Sequence, residues 1–140
     1  TRLDTLVHTQ PAGAPWPTLG EMIQRDRRLV ILTDREGGKY PWYHAVWTHA
    51  WETDWSNKSA ADFTCERNRG AAGNPLFILN HFIGDPLPSA ELARQVNKRD
   101  VLLTRARACA SQSGRQPTFV TVDFHNEGDV MAVVRELNGL

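Results

Sequence analysis

Five residues carry most of the chemistry this chain can offer: Asp34, Glu52, Asn80, His81 and Asp123. Each stands at or near the end of an apolar run: Leu29–Asp34 (LVILTD), Ala45–Asp54 (AVWTHAWETD), Leu76–Phe82 (LFILNHF) and Phe119–Asn126 (FVTVDFHN). Carboxylates at such positions accept hydrogen bonds from a hydroxyl-rich ligand or hold a cation. An imidazole moves protons, and an aspartate beside it orients the ring and stabilises its cationic form. Each residue also has a plain structural reading. Glu52 fits a loop salt bridge, and Asp123 in VTVDF fits a carboxylate capping a nearby helix, since a buried carboxylate must be paired or hydrogen-bonded. His81, next to Ile78-Leu79, fits a satisfied buried ring, because an unpartnered one is costly. Asp34 stands where Thr33-Asp34 already turns into loop.

Continuous apolar runs suit strands buried on both faces of a parallel sheet, where ligands bind at the carboxyl ends. The predicted strands are Arg28–Thr33, Ala45–Asp54, Leu76–Ile83 and Thr118–Phe124, with a short one at Leu3–His8. Thr18 and Glu21 form a capping box before the Leu19, Met22, Ile23 stripe, which predicts a helix over Leu19–Asp26. Further helices are expected at Ser59–Asn68, from Ser89 through Val96, at Asp100–Ser111 after a break near Asn97, and at Gly128–Leu137. Gln10–Pro17 and Arg35–Tyr43 are loops, with Gly37-Gly38 making a turn. Strand and helix alternate about four times, which demands right-handed crossovers and parallel strands. An open doubly wound sheet or part of a (β/α)8 barrel satisfies that. A full barrel needs roughly 200–250 residues, so 140 residues hold about half of one.

Length predicts one domain, and 41% hydrophobic with 23% charged residues is ordinary for a globular protein. The formal net charge is zero, which gives no basic face for nucleic acid. No apolar stretch reaches the ~18–20 residues of a bilayer span. The N-terminus TRLDTLVHTQ lacks the charged and apolar regions of a signal peptide, and the chain has no initiator Met, so it reads as processed, trimmed or partial. Cys65 and Cys109 are either two buried thiols or a disulfide. Asn57-Lys58-Ser59 is a glycosylation sequon of a kind frequent by chance. His44 and His49, at odd spacing about a strand, are predicted to face opposite ways, and no zinc-ligand spacing is present.

Several of these segments together resemble the C-terminal half of phosphatidylinositol-specific phospholipase C-like (X-domain-like) phosphodiesterases. The segments are Trp16-Pro17-Thr18-Leu19-Gly20-Glu21, Arg28-Leu29-Val30-Ile31, Trp51-Glu52-Thr53, Cys65 with Arg69-Gly70, Leu79-Asn80-His81-Phe82, and Val122-Asp123-Phe124 with Gly128-Asp129-Val130. The resemblance implies a distorted (β/α)8 barrel, here its C-terminal half with about four parallel strands alternating with helices. Residues 1–140 would then be a single partial domain. It implies cleavage of an inositol phospholipid by two histidines acting as general base and acid, with an Arg, and in some branches Ca2+, stabilising the phosphoryl charge. Those histidines belong to the N-terminal half of the family's barrel, which no segment here matches, so this chain alone is expected to be inactive.

Asp123 would orient a histidine from that missing half. Asp34, Glu52, Asn80 and His81 would contact substrate, and Cys65 would pair with Cys109 as in secreted members. The expected partners are a phospholipid or small phosphodiester, the missing half-barrel or a second copy, and a membrane surface touched through Trp42 and Tyr43. The expected location is secreted or extracellular. Two other readings stand beside this one: a non-catalytic polyol- or sugar-binding domain on the same rim, and an unrelated open α/β ligand-binding domain.

Overall fold

The computed structural model describes residue 3 and residues 5–140, which divide into two compact units. The first unit comprises residues up to Ala50 together with Gly70–Pro75. In it α1 (Leu19–Gln24) begins with the expected capping box: Thr18 Oγ1 accepts from the Glu21 backbone, and the Glu21 carboxylate accepts from Thr18 N at 2.8 Å. Donation to the carboxylate from Thr18 N and, at 3.0 Å, from Thr18 Oγ1 holds the Glu21 carboxyl below the usual carboxylate range. Strands β1 (Ile31–Thr33) and β2 (Tyr43–Ala45) pair in parallel, Ile31 opposite Tyr43. Gly37 passes so close to β2 that a Cβ there would stand 2.3 Å from Ala45 N, so only glycine fits. Of the strand expected at Leu3–His8, residue 4 lies outside the described residues; Val7 forms an isolated parallel bridge to Leu29.

The long aromatic run 45–54 is not one strand. A helical turn, α2 (Val46–His49), interrupts it and is followed by β3 (Ala50–Thr53). The Asn74 side chain donates to the Trp47 and Ala50 carbonyls, both at 2.8 Å, and so satisfies groups that a continuous ladder would have paired. This turn also corrects the expectation for His44 and His49. Their rings meet edge to face with centroids 5.2 Å apart, because the intervening residues follow a helical rather than a two-residue period.

The second unit, Trp51–Arg69 with Leu76–Leu140, is built on a four-stranded sheet in the order β4-β3-β5-β6, with β4 at Arg67–Arg69, β5 at Leu76–Asn80 and β6 at Phe119–Thr121. β5 and β6 are parallel, whereas β3 and β4 are antiparallel. The expectation of four parallel strands in one half-barrel therefore needs correction: the architecture is mixed α/β with small, open sheets. Its source is the segment 59–68, read from sequence as a helix. Only a single 3-10 turn forms there, at Ala60–Asp62. The Asp62 carboxylate accepts from the Lys58 and Ser59 backbone N–H groups, closing the turn on itself and holding the Asp62 carboxyl below its usual range. Beyond it the chain extends into β4.

Helices α3 (Ala90–Val96, capped by Ser89), α4 (Arg99–Ser113) and α5 (Val130–Leu137) follow the predicted pattern, including the break at Asn97. At that break Gly128 (φ +78°) sits where a Cβ would stand 2.7 Å from Asn97, and Asp129 N donates to the Asn97 carbonyl at 2.9 Å. Two apolar clusters fill the unit. Trp51 stacks on Phe77 at 3.9 Å beside Leu79, Ala106 and Cys109; Leu102, Leu103, Val130 and Val133 form the other. No helix among the described residues is long and apolar enough to cross a membrane. The Asn57 of the sequon is 2% exposed and donates to the Asp54 carbonyl at 3.1 Å, a position with no room for a glycan.

Cys65 and Cys109 form a disulfide that ties the approach to β4 onto α4 across 44 residues of chain. Closing a loop of that length contributes about 4 kcal/mol by restricting the unfolded chain. The double variant C65S/C109S is expected to lose roughly that amount in denaturant unfolding; a loss below about 1 kcal/mol would show that other contacts hold β4 in place.

A candidate polar site at the strand ends

β3, β4 and β5 bring three polar residues together at their ends. The register of β4 places Arg69 opposite Glu52, with an irregularity between Glu52 and Thr53. Arg69 Nε donates to Glu52 Oε1 at 2.5 Å, and Asn80 Nδ2 donates to Glu52 Oε2 at 2.9 Å and to the Thr53 carbonyl at 2.8 Å. Asn80 N donates to Thr53 Oγ1 at 3.0 Å. Glu52 and Asn80 are each 4% exposed, whereas the Arg69 side chain is nearly half exposed and lies 5.9 Å from the Trp55 ring. A buried carboxylate held by one guanidinium and one amide is a rigid acceptor beside one half-exposed donor, Arg69. That combination suits vicinal hydroxyls, which donate to a carboxylate and accept from a guanidinium.

His81, one residue past β5, is fully buried. Its Nε2–H donates to the Val96 carbonyl at 2.9 Å, and its Nδ1 accepts from Arg105 Nη1 at 3.1 Å. Both ring nitrogens are occupied, which fixes one neutral tautomer. Burial, together with the Arg105 charge and against the Val96 bond, pushes its pKa down to about 4. Asp123, half-buried beyond β6, lines with His81, Ser89, Ala93 and Asn97 a narrow crevice with no room for a water molecule. Asn97 Nδ2 donates to the carbonyls of Asp123 and Glu127, both at 3.1 Å, and Phe124 between them takes a left-handed backbone (φ +48°). Asp34 belongs to the first unit, is exposed, and pairs loosely with Arg35 at 3.7 Å.

Two residues of this neighbourhood were not among the sequence candidates. Arg69 stood only in a family segment. Arg105 carried a clearer signal: it lies on the α4 face marked by Leu102, Ala106 and Cys109, where a cation is out of place unless it does something specific. No group of three or more His, Cys, Asp or Glu among the described residues is arranged to hold a metal, and both Glu52 oxygens already have partners.

Between pH 6.5 and 4 the unfolded chain binds more protons at His81 than the folded one, so acid favours unfolding there. The stability contributed by neutral His81 is complete above about pH 6.5 and is lost as pH falls towards 4. Unfolding midpoints measured from pH 8 to 4 are expected to be flat and then fall, with a shallower fall in His81→Gln. His49, lowered first by burial and then by His44, acts with the same sign and leaves part of the slope. Equal slopes in parent and variant would show that His81 titrates normally.

The PI-PLC X family model (PI-PLC X 1) matches residues 5–138. Over 138 residues the chain is 29% identical to "PI-PLC X domain-containing protein 1" of Arthroderma benhamiae, covering 89% of this chain and 45% of that protein. It is 26% identical over 144 residues to a PI-PLC X domain-containing protein of Arabidopsis thaliana, covering 91% and 32% respectively. It is 27% identical over 150 residues to an "Uncharacterized secreted protein" of Arthroderma benhamiae, covering 89% and 34%. The chain spans less than half the length of these relatives. No solved structure matches it. With its strand-end segments inside a match that runs almost end to end, the chain belongs to the PI-PLC X domain family.

Proposed function

We propose that this chain supplies the substrate-holding part of a phosphoric diester hydrolase of the phospholipase C type, acting on an inositol phospholipid or a related phosphodiester. The observation that carries the reading is the buried Glu52, bridged by Arg69 and Asn80 within the family-matched residues. In this reading Glu52 and Arg69 receive the ring hydroxyls and Asn80 keeps Glu52 in place. Asp123 orients a histidine supplied by sequence beyond this chain, as Asp in a nucleophile–base–orienter arrangement does. The general base and acid are not among the strand-end groups here, since His81 is sealed by Arg105 and Val96. The same sealing favours a second reading for this chain on its own, a non-catalytic binder of polyols or sugars.

The disulfide and the secreted relative support an extracellular location. Tyr40 stacks on Trp42 at 5.0 Å, Trp42 meets Tyr43 edge to face, and Lys39 lies over Tyr40 at 5.5 Å. An aromatic cluster with an adjacent cation suits the headgroup level of a bilayer, so we assign this loop to peripheral membrane contact.

Two measurements test these assignments. The protein carrying this chain at the full length of its relatives is expected to release water-soluble phosphoinositol from phosphatidylinositol vesicles. Glu52→Gln should raise KM about tenfold, the cost of one charged hydrogen bond. No release, together with retained myo-inositol binding, would leave only the polyol-binding reading. For the loop, Trp42→Ala is expected to reduce co-sedimentation with phosphatidylcholine vesicles several-fold; unchanged co-sedimentation would assign Trp42 to internal packing.

A further inference from the structure

Arg105 is the most heavily engaged side chain near the strand ends and is 8% exposed. Its Nη1 donates to the Asn80 carbonyl at 2.7 Å and meets His81 Nδ1 at 3.1 Å; its Nη2 donates to the Thr64 carbonyl at 2.9 Å. The guanidinium also lies over the Phe63 ring at 4.2 Å, and Phe63 in turn packs on His81 at 4.5 Å. Its Nε has no partner, and no carboxylate among the described residues pairs with it. Burying a cation without a counter-charge is costly. A Met or Leu would fill the same place on α4, so packing alone does not account for an arginine there. What only a planar, multi-donor cation supplies is simultaneous hold on the end of β5 and on the segment 63–64 that leads into β4.

Those are the two segments that deliver Asn80 and Arg69 to Glu52. Asn80 is gripped at its carbonyl by Arg105, while its side-chain amide is aimed at Glu52. We propose that Arg105 is a positioning residue for the strand-end site: by holding the Asn80 carbonyl, the His81 ring and the Thr64 carbonyl at once, it sets the direction in which Asn80 and Glu52 meet a hydroxyl-bearing ligand. The inference rests on the hydroxyl-binding reading of the Glu52 site. It goes beyond that reading in assigning the site's alignment to a side chain that touches no ligand.

The test combines side-chain NMR with kinetics in the full-length protein, using Arg105→Met and Arg105→Lys. In the parent, 15N-labelled His81 is expected to stay neutral with the proton on Nε2 down to about pH 4. The Asn80 side-chain amide should be shifted away from solvent-exposed asparagines. In Arg105→Met the His81 tautomer signature and the Asn80 amide shift are expected to be lost, and KM for phosphatidylinositol to rise about tenfold with kcat changed less. Arg105→Lys, which keeps charge but not the fork, should recover only part of each. Parent-like Asn80 and His81 resonances in a folded Arg105→Met protein would overturn the proposal. If that variant does not fold, a parent His81 that titrates near 6.5 would overturn it equally. Resonances that move as expected in a protein without phosphodiester turnover would sustain the positioning role and remove the hydrolase reading instead.

Discussion

The guanidinium of Arg105 lies in the interior of the second unit without a carboxylate to neutralise it, and the surrounding backbone is arranged to compensate. Two carbonyls, one imidazole nitrogen and one aromatic face surround it. Burial pushes its pKa down to about 10, which leaves it charged at neutral pH. A buried cation of this kind tolerates little displacement of its acceptors, because each lost hydrogen bond exposes charge to a low-dielectric interior. The orientation of Asn80 and the path of the segment before β4 follow from that constraint, and the Arg105 charge adds to the burial that keeps His81 neutral.

One helical turn along α4, the Cys65–Cys109 disulfide acts on the same segment by a different means. Arg105 fixes residues 63–64 through directional hydrogen bonds in the folded state, while the disulfide limits the unfolded chain. Between them the short, exposed strand β4 is held against β3. Three residues in antiparallel pairing would otherwise be marginal, and β4 carries the arginine that completes the Glu52 pair.

This arrangement holds a carboxylate that is 4% exposed between two partners. With Arg69 and Asn80 on opposite oxygens, the direction of the Glu52 carboxylate is fixed. Asp123 is held by a separate device, the Asn97 amide bridging two carbonyls of its turn, and that device depends on glycine at position 128.

Much of this was legible in the sequence because it depends on local patterns. The Thr18–Glu21 box, the Ser89 cap, the break at Asn97 and the apolar faces of α4 and α5 are short-range signals, and the apolar runs marked β1, β5 and β6. The segments around Glu52, Asn80 and Asp123 carried the family. What the sequence did not reveal depends on partners distant along the chain. The run 45–54 breaks because Asn74 caps the carbonyls of a helical turn, and residues 59–68 extend because Asp62 closes its own turn and Cys65 is tied to α4. His81 stands in the family motif as an expected substrate contact, and in three dimensions both its ring nitrogens are engaged, one by a side chain 24 residues away. Residue types and periodicity thus determined which groups stand at the strand ends. Only tertiary packing, through one buried cation and the hydrogen bonds it requires, decided which of them pair with one another and which are sealed inside.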